Sequence, residues 1–585
     1  MTQSVAVESP PTTGADAAGQ HYRWRWVALF AILGVEVMDL LDTLITNIGA
    51  PSIRVDLSGS ASLIQWLGAG YILAMAVGLL TGGRLGDIYG RRKMFLVGTA
   101  GFTAASLLCS LAQSPEMLVG SRVLQGLFGA VVIPQGLGMI KEMFPPKEMA
   151  TAFGAFGPVM GLSSVGGPIL AGALISADLF GTGWRAIFLI NVPIGLAILF
   201  VAGKYLPRAA TRQATRLDVV GVVLAGVAAG LIVYPLVQGR ELDWPVWTFA
   251  LMAGSVVFFG ILAWYERRVA AAGRDPLIEP GLFRKRAFSG GLVAGLVFFS
   301  AMIGFSLVYT LYVQVGLGYS PLKAGLASMP QARGTVIGFI VAGAGLAERL
   351  GRWLIHIGLA IMTAGVVGVL AIVHLSGADV TPWRLIPALV VIGFGMGQVL
   401  APFFDIVLAG VEPKETGTAG GTLTAIQQLG GALGLAVLGT LFFSMLGGHI
   451  DARSADAAPK LRAALTAAGV PAAQQGPIVT GLRDCGHDRA TAKDPVEVPA
   501  SCVRVQRAVE TATATPSGAA VREVVATAAE DSSKRGFSDA LKITLMVEIG
   551  MLVLTFLLAF LLPLRARPHQ HPAAGQEEET PKAAV

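Results

Sequence analysis

Fourteen apolar runs of about twenty residues punctuate this 585-residue chain, and that is the length a helix needs to cross the roughly 30 Å hydrocarbon core of a bilayer. They lie at 27–48, 63–80, 94–111, 118–140, 152–174 and 187–206, then 219–236 and 246–265, then 288–315, 324–344, 354–375, 385–409, 422–446 and 541–562. In lipid every backbone N–H and C=O must be satisfied within the segment, so each run is expected to be a helix. Charged residues are only 14% of the chain, against about 25% in soluble domains, and mean hydropathy is +0.66. The fold class is therefore an all-α, multi-pass membrane protein. The net charge of +6 is not a nucleic-acid signal, because the Lys and Arg sit in loops beside the spans. Residues 1–20 are polar and lack the apolar core of a cleaved leader, so insertion is expected through the first span.

Charge asymmetry in the short loops sets the orientation. Loops on the side of the N-terminus carry nineteen basic residues, among them Arg84, Arg91, Arg92, Lys93, Lys147, Arg208, Arg212, Arg216, Arg286, Arg352 and Lys414. The opposite loops carry five: Arg54, Arg185, Arg240, Lys323 and Arg384. Basic loops stay in the cytoplasm, so both termini are expected there, with the protein in the plasma membrane. The expected organisation is a tail (1–23), a six-helix bundle (24–206), two linker helices with a cytoplasmic loop (207–286), a second six-helix bundle (287–446 with 541–563), an outer insertion (447–540) and a tail (564–585).

The chemistry concentrates in a few places. Between the second and third spans stands Gly83-Arg84-Leu85-Gly86-Asp87-Ile88-Tyr89-Gly90-Arg91-Arg92-Lys93, read as a short charged turn. Its glycines permit a tight turn and close helix approach, while Asp87 can form and break ion pairs with Arg91 and Arg92. An echo, Ala344-Gly345-Leu346-Ala347-Glu348-Arg349-Leu350-Gly351-Arg352, follows the tenth span and points to two related halves. In the first span, Glu36, Asp39, Thr43 and Asn47 fall on one stripe at 100° per residue, with Asp42 toward a neighbouring face. Ionisable groups at that depth are costly and usually functional. Each of the three acids fits either a proton carrier or a carboxylate permanently paired with a buried base, and the sequence leaves this open. Arg122 in the fourth span cannot shed its charge and needs an anionic partner, for which these acids are candidates; Gln125, one turn on, can set the geometry. The fifth span carries Gly154, Gly157, Pro158, Gly161, Gly166, Gly167, Pro168 and Gly172, a density that lets helices pack closely and bend.

These strings resemble the major facilitator superfamily. The 83–93 string is similar to its signature loop, and Arg122-Val123-Leu124-Gln125-Gly126 is similar to its Arg-x-x-Gln-Gly motif. Leu41-Asp42-Thr43-Leu44-Ile45-Thr46-Asn47 through Pro51, and Gly167-Pro168-Ile169-Leu170-Ala171-Gly172, resemble motifs of the fourteen-helix drug:proton antiporter subfamily. Leu44 replaces a usual Thr, and Ala171 replaces a Gly. Trp184-Arg185-Ala186-Ile187-Phe188-Leu189-Ile190-Asn191-Val192-Pro193-Ile194-Gly195 is a further subfamily-like string, read as an external aromatic and Arg anchor rather than as chemistry. The resemblance implies two six-helix bundles with the substrate site between them near the midplane, plus two extra central helices. It implies proton-coupling residues Asp42, Asp39, Glu36 and Arg122, a gating loop at Gly83, Asp87, Gly90, Arg91 and Arg92, and an antiporter motif at Gly161, Gly167, Pro168 and Gly172.

The second half adds candidates for cavity lining. Tyr309, Tyr312 and Gln314 form a polar aromatic strip, and Asp405 and Glu548 read as further buried acids. Asn47 and Gln125 join this set from the first half. Segment 447–540 is Ala-rich, charged and broken by Pro471, Pro477, Pro495, Pro499 and Pro516, so short helical stretches are expected on the outer, oxidising face, where Cys485 and Cys502 can form a disulfide. No metal or cofactor motif is present, and the proton is the only coupling ion expected. The leading expectation is proton-driven export of small amphipathic compounds by a monomer in the lipid bilayer, with no nucleic-acid partner. A proton-coupled uptake symporter is the near alternative; a membrane-bound enzyme or sensor is the distant one, since no nucleotide loop, nucleophile elbow or appended domain appears.

Overall fold

Long helices dominate the computed structural model, which describes residues 22–145, 148, 152, 156–207, 217–274, 276–377, 380–412, 415–492, 498–512 and 518–565. The expected tails, Gly154, Lys147, Arg208, Arg212, Arg216, Lys414, Pro495 and Pro516 lie outside these residues, apart from the inner ends of the tails at 22–23 and 564–565. The first half contains α1 (Arg25–Asp56), α2 (Ala61–Tyr89), α3 (Arg91–Ser110), α4 (Pro115–Met143), α5 (Phe156–Ala177) and α6 (Asn191–Tyr205). Then come α7 (Val219–Gln238) and α8 (Val246–Ala271). The second half holds α9 (Arg286–Leu311), α10 (Pro321–Val341), α11 (Arg352–Ser376), α12 (Pro382–Leu408) and α13 (Thr416–Ala467). The order closes with α14 (Ala472–Thr491), α15 (Ala500–Ala512) and α16 (Gly518–Leu558).

Local chemistry explains the helix starts. Ser114 accepts a hydrogen bond from the Met117 amide with Pro115 behind it, Ser320 does the same for Lys323 ahead of Pro321, and Asp218 takes the Gly221 amide at 2.9 Å. Each satisfies an amide that has no partner within its own helix, and proline at the first position loses nothing there. Among the described residues, eleven helices are long and apolar enough to cross a membrane. The three other expected spans are helical too. The apolar stretch of α1 carries three acids, α10 carries Lys323 and Arg333, and Gly166–Ala177 of α5 forms a shorter apolar helix.

Two seams join the halves. α2 packs on α13, and α5 packs on α10, with α7 lying against both α2 and α13, and α8 stacked on α7. Along the first seam Gln65 meets Thr440 and Gly439, Leu435 meets Gly68, and Gln428 meets Met75. Along the second, a Cβ on Gly172 would stand 2.4 Å from Leu322 Cα, and one on Gly325 would stand 2.2 Å from Pro168 O. Only glycine allows backbones that close. Apart from Gln428–Met75, which lies midway along α2, these contacts lie toward the end of the bundle where α1 finishes and α2 begins, so this conformation is closed at that end.

Two expectations about local structure are corrected. The 83–93 string is not a turn throughout: α2 continues helical to Tyr89, and the break is confined to Gly90, with φ 94°. Helical hydrogen bonds persist through Arg84 and Asp87 because a span may end well past the hydrocarbon, and only the positive φ demands a glycine.

The 447–540 segment is also more ordered than a string of short stretches. α13 runs unbroken for 52 residues and α16 for 41. At 1.5 Å per residue α13 is about 78 Å long, more than twice the bilayer core, so the expected boundaries at 446 and 540 fall inside continuous helices. Pro477 sits within α14 instead of dividing it, while Pro471 and Pro499 do precede helices. The parts of α13 and α16 beyond their apolar stretches join α14 and α15 around a separate core that includes Leu461, Leu465, Ile478, Leu482, Val505 and Val521. Cys485 and Cys502 are joined as a disulfide, sulfurs 2.00 Å apart. Helices too short to persist alone hold here because they share a core and a cross-link.

Candidate proton-coupling and substrate site

The first-span stripe read from the sequence is present as a face. Glu36, Asp39, Thr43 and Asn47 are half-buried along α1, whereas Asp42 is turned into the bundle at 1% exposure. Arg122, on α4, is equally buried and pairs with Asp42 through Nη1 and Oδ2. An arginine that snorkelled to the interface would be exposed; this one is among the largest fully buried side chains.

The pair sits in a polar shell. Arg122 Nε donates to Leu67 O at 3.0 Å, and Nη1 also donates to Gln125 Oε1 at 2.6 Å. Gln125 Nε2 donates to Asp42 Oδ1 at 2.9 Å and to Ser106 Oγ at 2.8 Å. Asn191 Nδ2 donates to the same Asp42 Oδ1 at 2.8 Å. The guanidinium lies 4.1 Å over the Tyr71 ring, and the Tyr71 hydroxyl donates to Asp39 Oδ1. An unpaired ion here would cost several kcal/mol; pairing and hydrogen bonds offset that. The network therefore runs Asp39, Tyr71, Arg122, Asp42, with Gln125, Asn191 and Ser106 fixing its inner end.

Three of these residues escaped the sequence reading. Tyr71 is one polar position in an otherwise mostly apolar span, and Ser106 is one of four hydroxyl residues along α3, with Thr99, Thr103 and Ser110. Asn191 lies in the 184–195 string that was set aside as an anchor. Its neighbours do anchor: Trp184 Nε1 and Arg185 Nη1 donate to Asp56 Oδ2 at 2.9 and 2.7 Å. The available signal for Asn191 was an uncharged amide at lipid depth, which needs a partner.

A Major Facilitator Superfamily profile matches residues 26–219 and 211–435. The chain belongs to that family. It is 47% identical over 564 residues to a protein described as a probable actinorhodin transporter of Streptomyces coelicolor, covering 96% of each chain. It is 33% identical to a tetracenomycin C resistance and export protein of Streptomyces glaucescens, covering 76% of this chain and 81% of that one. Among solved structures, a bacterial homologue of the lysosomal transporter Spinster, inward-facing and occupied, aligns with a TM-score of 0.57 at 16% identity over 92% of this chain and 96% of that one. That likeness supports the major facilitator fold. The protein is a multi-pass membrane transporter, not an enzyme.

The transporter's signature loop is fastened within the first half. Arg91 reaches Asp87 at 3.1 Å and Glu142 of α4 at 3.3 Å, and Arg92 donates to Gly203 O of α6 at 2.5 Å. Gly83 packs near Pro134. Gly167 lies against Leu41 and Leu44 of α1, and Pro168 and Gly172 form the α5–α10 seam; Gly161 is helical in α5.

The second-half candidates are placed differently from expectation. Tyr309 donates to Ala327 O at 3.1 Å, Tyr312 pairs with Ser538 at 3.2 Å, and Gln314 donates across the halves to Ile48 O at 3.0 Å. All three are buried in packing here, because a buried hydroxyl or amide takes the nearest acceptor. Asp405 is exposed, not buried: its face of α12 turns away from packed Phe403, Ile406 and Val407. Glu548 is buried at 1% in α16.

Proposed function

We propose that this transporter is a proton-driven exporter of small amphipathic compounds, a fourteen-helix drug:proton antiporter of the plasma membrane that acts as a monomer with both termini cytoplasmic. The observation that carries the reading is the buried Asp42–Arg122 pair linked through Tyr71 to a second, half-exposed acid, Asp39. In the proposed cycle Arg122 exchanges partners. A proton on Asp42 weakens its hold on the guanidinium, and Asp39 is the next acid within the network; Glu36 stands one turn further along the accessible face. Binding of a cationic or polar group of the cargo on that face competes with the proton. Each proton moving inward down 100 mV supplies about 2.3 kcal/mol, enough for roughly a fiftyfold concentration ratio.

The names of the relatives support export and suggest the first cargoes to try, actinorhodin and tetracenomycin C. The test uses everted membrane vesicles with an acidified lumen. Adding a transported drug should alkalinise the lumen, and expression should protect an efflux-deficient host against the same drug. A panel in which no compound gives either response sinks the exporter reading; protection without the pH response sinks the proton coupling alone.

A further inference from the structure

Two cavities open at the same relative place in the two halves. One, of about 210 Å³, is lined by Tyr22, Arg92, Lys204, Leu206 and Pro207, between the starts of α1 and α3 and the end of α6. The other, of about 330 Å³, is lined by Arg286, Ala287, Arg352 and Phe560 to Pro563, between the starts of α9 and α11 and the end that follows α16. Each half thus builds its cavity from its first, third and last helices.

The same device recurs in both. The arginine at the start of the third helix of each half donates to the last carbonyls of the sixth: Arg92 to Gly203 O at 2.5 Å, Arg352 to Phe560 O at 3.1 Å and Leu562 O at 2.7 Å. This leaves Nε of both arginines buried without a partner. A second cation stands at each rim, Lys204 in one and Arg286 in the other, and among the described residues none of the four is paired with an acid. Beside the cavities large apolar side chains are exposed, Trp24 and Trp26 in the first half, Trp353, Phe560 and Leu564 in the second. Indole rings at this level mark the boundary between headgroups and acyl chains.

We propose that these are two related sites for the phosphate of an anionic membrane lipid, with its acyl chains against the neighbouring aromatic and aliphatic side chains. Two cations without acids, a cavity between helix starts and an apolar flank together fit that ligand better than a soluble anion, which would have no use for the flank. Occupancy would tie the first, third and sixth helices of each half together at one membrane surface, so that each bundle moves as a unit.

Native mass spectrometry of the purified full-length protein titrated with phosphatidylglycerol, and separately with phosphatidylcholine, tests this. Two phosphatidylglycerol molecules should be retained under conditions that strip phosphatidylcholine. Lys204→Gln and Arg286→Gln should each weaken one of them by about fivefold, at roughly the strength of one basic residue near an anionic surface, and the double variant should weaken both. Neither residue makes the helix-end hydrogen bonds, so folding should be unaffected. Equal retention of both lipids, or retention of phosphatidylglycerol untouched by either substitution, overturns the proposal. Displacement of the lipid by millimolar inorganic phosphate would assign the cavities to a soluble anion and overturn it as well. The readout is binding, so its outcome is separate from that of the transport test.

Discussion

Asp42→Asn separates a structural counterion from a proton carrier, because the two roles differ in what the substitution does to Arg122. The guanidinium is 1% exposed and loses the one ionic partner it has among the described residues. Breaking a buried pair from one side typically costs about 3–5 kcal/mol. Arg122 retains Leu67 O at 3.0 Å, Gln125 Oε1 at 2.6 Å and the Tyr71 ring at 4.1 Å, so the lower end, about 3 kcal/mol, is expected. Asp39→Asn keeps an oxygen to accept the Tyr71 hydroxyl and removes only the charge from a half-buried group, the difference between a charged and a neutral hydrogen bond, worth about 1 kcal/mol. Thermal unfolding in detergent micelles should therefore rank wild type, then Asp39→Asn, then Asp42→Asn, with the double variant Asp42→Asn/Arg122→Gln recovering much of the loss, since no buried charge is left unpaired. Proton-driven efflux should be absent in both single variants, but only Asp39→Asn should be lost from a protein of near-normal stability. If Asp42→Asn is as stable as wild type, the buried pair does not hold the network. If Asp39→Asn transports with an unchanged pH profile, the exchange of Arg122 between the two acids is wrong.

Gly172→Val would place side-chain atoms where Leu322 Cα and Pro321 O already lie, so it should wedge the closed end of the bundle open; cysteines introduced along that seam should become more reactive toward a membrane-impermeant maleimide, and unchanged reactivity would contradict the seam. Alkylation without prior reduction should leave Cys485 and Cys502 unlabelled, as mass spectrometry reads directly, and Cys485→Ser should lower the stability of the outer helices by up to about 3 kcal/mol for a loop of this size. The hydrogen bond from Arg483 holds the Asp451 carboxyl below its ordinary range, in the part of α13 beyond the apolar span. Its contribution is therefore complete above the ordinary carboxylate titration near pH 4 and fades as pH falls through the lowered value. Hydrogen exchange in α14 should accelerate in that acid window in wild type but not in Asp451→Asn.

The helices were legible because lipid permits so few backbone solutions: a run of twenty apolar residues has to be helical, whatever it packs against. The α1 stripe was legible for a related reason, since helical periodicity alone puts Glu36, Asp39, Thr43 and Asn47 on one face and Asp42 off it. The need of Arg122 for an acid followed from its permanent charge. Which acid it takes did not follow, because Asp39 and Asp42 differ only in direction, and direction acquires meaning once α4 and α6 are in place beside α1. Asn191 is the plainest case: its amide is ordinary in sequence and decisive beside Asp42 Oδ1. The helices around Cys485 and Cys502 make the same point in reverse. Their prolines and alanines suggested broken stretches, whereas α13 and α16 run straight through the expected boundaries because a shared core and the Cys485–Cys502 link stabilise what local propensity alone would not. Composition and spacing thus determined the class of fold and the positions where chemistry can sit. Only the packing of one helix against another decided which charges meet, because pairing depends on distances between residues far apart in the chain.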